Sequence, residues 1–505
     1  MPNYLSPGVY VEEVQAASRP IEGAGTAVAA FVGLAQRGPA NTPVMVTNWT
    51  QFVASFGDFM EGSYLAHAVY GFFLNGGTTA YIVRIGAEGA DAPSARLELP
   101  SSTDKSQAAF RVVALEAGGT GNEIAVEVGE PSEPGEGVFK LTVTRGSDQE
   151  IYDNVTVKRG KQSVFTAVKT SKLVRLEEVA KGDVAPAVGT KSALAGGIAS
   201  GPVRVTPTEY VGNSADRTGF GGLEAVEEIT MVAAPDLMAL YQAGVVDMDG
   251  LKAVQLAIIA HCELMGDRVA ILDAPPDYNA QQVKEWRQDK AGYDSKYATL
   301  YWPWIKVFDP VVGQATFVPP SGHIAGIWAR NDGERGVHKA PANEVVRGAI
   351  ALELNLTRAE HDQLNPIGIN CVRTFPGRGI RVWGARTLSS DPAWRYLNVR
   401  RLFNYIEESI LLGTQWVVFE PNDIDLWERV KRTVGAFLVR TWRDGALFGS
   451  TPAEAFFVKC DGENNTAETI DAGQLIVDIG IAPVKPAEFV IFRLAQFSGG
   501  TSLSE

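Results

Sequence analysis

The segment from Ser321 to Glu344 carries the densest set of side chains that could do chemistry. It holds two histidines, His323 and His338, among carboxylates, basic side chains and glycines. A histidine beside a carboxylate is typical of general acid–base catalysis, which needs the two groups at hydrogen-bond distance. The spacing alone supplies no such pair. Two interpretations stay open: the active-site loop of an α/β enzyme, or a structured loop tied by its own ion pairs, with Asn343 as a helix N-cap.

The other residues with catalytic potential give weaker signals. The sequence has no GxxxxGK[ST] phosphate loop, no GxSxG nucleophile elbow and no HExxH zinc helix. His261, Cys262 and Glu263 are adjacent, but their apolar surroundings predict a packed helix. The spacing of Cys262, Cys371 and Cys460 excludes a disulfide framework and a CxxC metal site. We therefore expect buried thiols, and these motifs predict no metal-binding or cofactor-binding residues.

A sharper pattern lies between residues 423 and 443, which are predicted to form an amphipathic helix with Asn422 or Asp423 as N-cap. One face is apolar, with Leu426, Trp427, Val430, Val434, Phe437 and Thr441. The opposite face forms an arginine stripe, made of Arg429, Arg432, Arg440 and Arg443. After the first turn no acidic side chain interrupts it. The stripe is either a solvated face paired with the chain's own carboxylates or a docking strip for an acidic partner surface.

Both ends of the chain are predicted to be extended arms. The N-terminal arm (Ser6–Val14) is led by proline and alternates like a strand at Val9, Tyr10, Val11 and Glu12. The C-terminal arm is apolar on both faces of a strand, at Phe489, Val490, Ile491, Phe492 and Leu494. Such arms either fold back onto their own domain or add as strands to neighbouring subunits. Head-to-tail linking of the second kind can propagate as a helix.

Length, composition and charge bound the class of protein. The 505 residues suggest about three domains, and 45% apolar with 21% charged residues is ordinary for a soluble globular chain. The net charge of −14 argues against wrapping nucleic acid, which needs a cationic face. Residues 1–14 show no secretory signal, and no apolar stretch is long enough to span a bilayer. We expect a protein made in the cytosol that contacts neither nucleic acid nor membrane directly.

The elements that must position these residues fall into three zones. Residues 1–90 combine the N-terminal arm with two strands and a helix. Residues 91–205 contain short alternating runs and no convincing long helix, which predicts an all-β insertion. Residues 206–505 alternate strands and helices, as an α/β layer sandwich does, with a Gly-rich loop zone at 319–343. Outside the insertion we predict strands at 29–34, 80–85, 229–234, 268–273, 298–308, 475–482 and 488–496, and helices at 64–74, 251–265, 281–290, 393–412 and 423–443.

Several motifs together resemble the contractile tail sheath proteins of phage tails and of phage-derived injection systems. The matching segments are Ser6–Glu13, Arg19–Gly33, Gly76–Arg84, Tyr301–Trp304, Val318–Gly326, Lys339–Asn343, Asn370–Arg373, Trp383–Thr387, Tyr396–Leu402 and Gly480–Phe489. They cover both end zones and most of the third zone. The β insertion does not carry the match, which fits the variable outer domain of such sheaths.

The resemblance implies an α/β (α+β) core with an inserted all-β domain and extended N- and C-terminal arms. The expected divisions are a linking arm at 1–20, a first part of the core at 21–90, the insertion at 91–205, the main core with its tube-facing part at 206–486, and a second linking arm at 487–505. It also implies that the arms link neighbouring subunits. We assign the arginine stripe to the tube-facing surface as a hypothesis.

The implied function is that of a structural subunit, not an enzyme. Sheath subunits stack as hexameric rings around an inner tube, and contraction drives the tube through a target envelope without a cofactor. The implied partners are further copies of the chain, the inner tube protein, and baseplate and tail-terminator or cap proteins. Assembly is expected in the bacterial cytoplasm. The alternatives are an α/β enzyme that uses residues 321–344, and a non-contractile assembly or adhesin subunit whose insertion binds a receptor.

Overall fold

The computed structural model describes residues 20–86, 94–104, 107–117, 119–146, 148–179, 184–197, 205–310 and 313–493. The strands of these ranges are Val28–Gly33 (β1), Val44–Val46 (β2), Thr79–Arg84 (β3), Ser94–Pro100 (β4), Ala108–Ala117 (β5), Ala125–Gly129 (β6), Val138–Arg145 (β7), Asp148–Thr156 (β8), Val174–Glu178 (β9), Lys191–Ala193 (β10), Met231–Ala233 (β11), Val269–Asp273 (β12), Ala298–Trp302 (β13), Ile305–Asp309 (β14), Gln314–Val318 (β15), Ala351–Leu352 (β16), Ile369–Phe375 (β17), Gly379–Val382 (β18), Phe456–Lys459 (β19) and Asp478–Ile481 (β20). The helices are Trp49–Phe56 (α1), Leu65–Asn75 (α2), Val164–Ala167 (α3), Pro207–Val211 (α4), Gly219–Gly222 (α5), Asp236–Gln242 (α6), Met248–Met265 (α7), Ala280–Glu285 (α8), Ser321–Arg335 (α9), Arg358–Leu364 (α10), Leu397–Thr414 (α11), Ile424–Arg443 (α12), Pro452–Ala455 (α13) and Ala467–Asp471 (α14).

An eight-stranded sheet forms the centre of the molecule, in the order β18-β17-β13-β12-β11-β1-β3-β2. The six inner strands run parallel, and β18 and β2 add antiparallel at the two edges. Parallel strands need helical crossovers, which cover both faces of the sheet. The alternating helices and strands of the third zone predicted this α/β core, and the fold class is confirmed.

The two faces of the sheet bury separate apolar layers because successive side chains of a strand point to opposite sides. In β1, Ala30 and Val32 pack on the side covered by α7. Ala29 and Phe31 pack on the other side, where α1, α2 and α9 lie. Helix α9 is thus part of the apolar layer that covers this face of the sheet.

The β-rich part between β4 and β10 forms two antiparallel sheets, in the orders β4-β5-β9 and β10-β6-β7-β8. They enclose a core of their own, to which Phe110, Phe139 and Leu141 belong. The ring centroids of Phe110 and Phe139, one from each sheet, lie 6.2 Å apart. In the described residues of this part the regular elements are strands, apart from the four-residue helix α3 and two short 3₁₀ turns, as the alternating runs predict.

The C-terminal part is built on the helical hairpin of α11 and α12. Leu402 and Ile406 of α11 pack against Val434 and Phe437 of α12, together with Ile21 from the start of the described chain. Strands β19 and β20 pair antiparallel beside them. The predicted helices 393–412 and 423–443 are therefore confirmed, with bounds shifted by a few residues.

Three sequence predictions are wrong in detail. The predicted strand 298–308 is two strands in different sheets, because the chain turns at Pro303, which has no N–H to donate to a ladder. Much of the predicted loop zone 319–343 is helix α9. The described residues of the predicted strand 488–496, which are 488–493, form no strand within this chain.

Candidate functional site

Helix α9 turns the segment from Ser321 to Glu344 into packing rather than an open loop. Its residues from Ser321 to Asn331 are all buried. The helix begins where the Ser321 N–H donates to the Asp273 carboxylate at 2.9 Å, so the positive end of the helix meets a negative group. Burial raises the pKa of Asp273 to about 7, and hydrogen bonds from Ser321 partly offset that rise.

The two histidines of the segment do not form a catalytic pair. His323 lies in the first turn of α9 and His338 lies beyond its last turn, and a 15-residue helix is about 22 Å long. Burial, with the nearby His67, lowers the pKa of His323 to about 3. A histidine that stays neutral at this depth is a packing residue. The α/β-enzyme interpretation requires a histidine at hydrogen-bond distance from a carboxylate, and neither His323 nor His338 makes such a bond with a described residue.

A histidine–carboxylate contact that the sequence did not predict lies nearby. His67 Nε2 of α2 and Asp309 Oδ2 of β14 are 3.2 Å apart and buried. Burial lowers the pKa of His67, although Asp309 acts in the opposite direction. The two residues are 242 positions apart, so only the packing of α2 against the core could have revealed them.

Several charges of the segment are paired inside the chain. Asp332 of α9 and Arg401 of α11 form a two-pronged ion pair, with distances of 2.6 and 2.9 Å and side chains only 4% exposed. Lys339 pairs with Glu344 at 2.5 Å. The ion-pair part of the structural interpretation is therefore confirmed. Asn343 is no N-cap: it has a φ of 60° in a turn, and its N–H donates to the Val382 carbonyl at 2.7 Å.

The cysteines and acidic residues offer no alternative centre in the ranges that the structure describes. Cys262, Cys371 and Cys460 are buried and unpaired, as expected. Burial raises the pKa of all three thiols. Within the same ranges no group of three or more His, Cys, Asp or Glu side chains could hold a metal ion.

The arginine stripe lies on α12 as predicted, opposite its buried face. Asp423 caps the helix by accepting from the Leu426 N–H at 2.8 Å. The helix is strongly amphipathic, and its buried residues are Leu426, Trp427, Val430, Thr433, Val434, Phe437, Leu438 and Thr441. Two of its four arginines are engaged, which means that they contact other residues of the chain. The other two are available, because they make no hydrogen bond or ion pair with a described residue.

Arg429 and Arg440 are engaged within the chain. Arg429 pairs with Glu420 at 2.9 Å and lies 5.2 Å from the centroid of the Trp416 ring. Arg440 donates to the carbonyl of Ile21. Arg432 and Arg443 are exposed and make no hydrogen bond or ion pair with any described residue. Pairing with the chain's own carboxylates therefore holds for Arg429. The docking role of the exposed Arg432 and Arg443 stays a prediction.

An apolar tip lies beside the stripe, in the loop that joins α11 to α12. Phe419 is fully exposed and has a φ of 67°, in the left-handed region that bulky side chains avoid. Val418 and Ile424 next to it are also exposed. The sequence pattern does not predict this tip, although Val418 and Phe419, shortly before Pro421, are its visible signal.

The C-terminal arm leaves the core at Glu488. That carboxylate accepts two hydrogen bonds from Arg386 and one from Asn365. The next four side chains are exposed by 69–85%: Phe489, Val490, Ile491 and Phe492. Leu494 of this arm, and Val9, Tyr10, Val11 and Glu12 of the N-terminal arm, lie outside the described residues. The described part of the arm thus presents a run of largely exposed apolar side chains.

Two adjoining family models match this chain. The phage tail sheath central domain matches residues 231–388, and the phage tail sheath C-terminal domain matches residues 389–497. The chain belongs to the tail sheath family. These matched regions contain α9, the arginine stripe and the root of the C-terminal arm.

Relatives of this sheath chain extend the likeness over its whole length. The tail sheath protein of Burkholderia phage BcepMu is 26% identical over 97% of this chain and 96% of its own. The tail sheath protein of Vibrio phage KVP40 is 28% identical over 43% of this chain, which spans 32% of that relative. The anti-feeding prophage helical sheath in its contracted state has a TM-score of 0.60 at 25% identity, covering 97% of this chain and 99% of that one.

A sheath protein from Listeria innocua shares the fold at 14% identity, with a TM-score of 0.60 over 93% of this chain and 96% of its own. The resemblance drawn from the motifs is confirmed, and this chain is a structural protein of the contractile sheath class. In the part of the sheath chain that is described, no helix is both long and apolar enough to cross a membrane.

Proposed function

We propose that this chain is the repeating subunit of a helical sheath, stacked as hexameric rings around an inner tube. Contraction of the polymer then drives the tube through a target envelope. The near full-length likeness to a helical sheath in the contracted state carries this proposal. The subunits work by changing their packing, a rigid-body transition between bistable arrangements, and use neither a catalytic residue nor a cofactor.

The two arms link neighbouring copies in this proposal. Residues 487–505 form one linking arm and residues 1–20 the other, on either side of a core (21–90 and 206–486) and an outer β-rich domain (91–205). Exposed apolar side chains from Phe489 to Phe492 support a donated strand, since such a strand gains both ladder hydrogen bonds and burial in a neighbour. Baseplate and terminator proteins close the two ends of the polymer, which assembles in the bacterial cytoplasm as part of a phage tail or tail-like particle.

Microscopy of the chain produced together with its tube protein tests the assembly. We expect striated cylinders from the full-length chain, and folded monomers without linked sheaths from variants that lack residues 1–14 or 487–505. Compact particles from the full-length chain would contradict the sheath proposal. Contractile sheaths from either truncated chain would contradict the linking role of that arm.

The arginine stripe faces the tube in this proposal, and Arg432 and Arg443 make the contact with an acidic tube surface. They are the members of the stripe with exposed, unpaired guanidinium groups among the described residues, whereas Arg429 and Arg440 already serve internal contacts. Charges that stay solvated in the free subunit are available to steer association with an opposite surface.

Charge reversal of the two available arginines tests the tube contact. The variant Arg432→Glu with Arg443→Glu should keep its unfolding midpoint, because neither side chain supports the fold, and should lose extended sheaths on the tube. Arg159→Glu is a matched control, since its side chain is 91% exposed in the β-rich part. Extended particles at the normal frequency from the double variant would contradict this assignment.

A further inference from the structure

The root of the C-terminal arm is held by an unusually complete set of contacts to one carboxylate. Glu488 Oε1 accepts from Arg386 Nε at 2.9 Å and from Asn365 Nδ2 at 2.7 Å. Its Oε2 accepts from Arg386 Nη2 at 2.7 Å and from the Tyr396 hydroxyl at 3.1 Å. Two parallel bonds from one arginine are stronger and more specific in geometry than a single charge-assisted bond. Burial by itself would raise the pKa of Glu488, and the bonds from Arg386 and Asn365 outweigh it, so the pKa is lowered.

Arg386 is itself fixed to the core sheet. Its backbone N–H donates to Asn370 Oδ1 at 2.7 Å, and its carbonyl accepts from Asn370 Nδ2 at 2.8 Å. Asn370 belongs to β17 and is fully buried. The guanidinium also donates to the Asn365 carbonyl at 3.2 Å. A pull on Glu488 is therefore transmitted through Arg386 to β17, an inner strand of the core sheet.

The contacts of the chain change abruptly after Glu488. The preceding Val484 is still bonded, through its N–H to the Ala446 carbonyl at 3.2 Å and through its carbonyl to Asn398 at 3.1 Å. From Phe489 to Phe492 the side chains are exposed. The clamp lies in the wall of a cleft of about 1150 Å³, so the arm root could lift away from the core if it were not held.

We propose that the Glu488–Arg386 clamp anchors the C-terminal linking arm to the core. When a second copy of this chain pulls on the arm, the clamp confines the force to this one point of the core. This inference rests on the proposed function, because it needs the arm to be held by a neighbour. When neighbours rotate during contraction, the exposed residues move with the partner copy while Glu488 stays with its own core. Without the clamp, the pull peels residues 483–488 off the core and the link between subunits weakens.

Limited proteolysis of the full-length monomer tests the anchor directly. Cleavage by chymotrypsin after Phe489 requires Glu488 to enter the protease cleft, and cleavage after Phe492 does not. Glu488→Gln keeps the shape but removes the charge, and Arg386→Lys removes the two-pronged geometry. We expect cleavage after Phe489 to become about tenfold faster in both variants, with cleavage after Phe492 unchanged. The free energy of unfolding should fall by no more than the amount that corresponds to this ratio, because the clamp also belongs to the folded state. Such a ratio corresponds to about 1.4 kcal/mol, just below the range of about 1.5–3 kcal/mol for a hydrogen bond to a charged group.

The control variant is Glu463→Gln, which removes an exposed ion pair with Lys459 elsewhere in the C-terminal part. Its two cleavage rates should match those of the unmodified chain. An unchanged rate after Phe489 in Glu488→Gln would overturn the anchor, whatever the chain assembles into.

Contraction of assembled sheaths tests the mechanical role. Sheaths of Glu488→Gln on the tube protein should form, and on triggered contraction they should break into shorter pieces several times more often than control sheaths. Contracted sheaths of normal length would overturn the force-holding role. Failure of the unmodified chain to form sheaths would instead count against the proposed function, and the proteolysis result would still decide the anchor.

Discussion

Helices α9 and α12 both carry polar and charged side chains, but those of α9 are mostly buried and those of α12 mostly lie at the surface. In α9 the residues from Ser321 to Asn331 are buried on all sides, and Asp332 closes an ion pair with Arg401. In α12 one face is buried, and the other carries arginines of which Arg432 and Arg443 stay exposed. Polar and charged side chains that could do chemistry therefore belong to internal packing in α9 and to an external surface in α12.

The largest expected difference between the two helices comes from removing one arginine that pairs with α9 and one that lies on the exposed face of α12. Arg401→Ala should lower the free energy of unfolding by about 3–5 kcal/mol, because Asp332 would remain as a buried, unpaired charge. Arg432→Ala should change it by no more than about 0.5 kcal/mol, because that side chain is exposed. Chemical denaturation followed by tryptophan fluorescence measures both. Similar values for the two variants would remove the distinction between the helices.

The sequence predicted α12 well and α9 poorly, for a physical reason. Period-3.6 alternation identifies a helix with one buried face, and α12 shows it. Helix α9 is buried all round, so it lacks this alternation, and its glycines suggested a loop. Those glycines allow α2 to approach: a Cβ on Gly322 would lie 2.3 Å from Ala68 Cα, and one on Gly326 would lie 2.3 Å from the Phe72 carbonyl oxygen.

The candidate surfaces were predictable to different degrees. Arg429, Arg432, Arg440 and Arg443 fall on one face of α12 because helical geometry alone decides that. Their division into engaged and available groups was not predictable, since it depends on Glu420 and on the carbonyl of Ile21, 419 positions away. The Glu488 clamp was equally hidden, because Arg386 lies 102 residues earlier.

A smaller effect comes from pH, through the buried histidine of α9. The pKa of His323 is lowered to about 3 in the folded chain from an ordinary value of 6.5. Above pH 6.5 both folded and unfolded chains hold it neutral; below that value only the unfolded chain gains a proton, so stability is lost as pH falls from 6.5 toward 3. Relative to His323→Gln, the unmodified chain should lose about 2 kcal/mol between pH 6.5 and pH 5, at about 1.4 kcal/mol per pH unit.

The measurement for His323 is the difference in unfolding free energy between the two chains, taken at several pH values. Asp273, whose pKa is raised to about 7, acts in the opposite direction and is present in both chains, so its effect cancels. His67 is close to His323 and remains in the variant. A difference that does not vary with pH would mean that His323 is accessible to protons in the folded chain.

The smallest effect concerns the exposed tip between α11 and α12, where an unfavourable backbone conformation lies at the surface. Phe419 has a φ of 67°, which costs a non-glycine residue about 1–3 kcal/mol, and its ring is fully exposed.

Phe419→Gly relieves that conformation, while the greater freedom of glycine in the unfolded chain cancels about 0.4–1 kcal/mol. We expect a net gain of about 1 kcal/mol in unfolding free energy, measured by chemical denaturation. Val418→Gly is the matched control, since it removes a neighbouring exposed side chain without relieving a positive φ, and it should not stabilise the chain. A loss of stability in Phe419→Gly would mean that this ring supports the fold, which would move the tip from the external side of the comparison to the internal one.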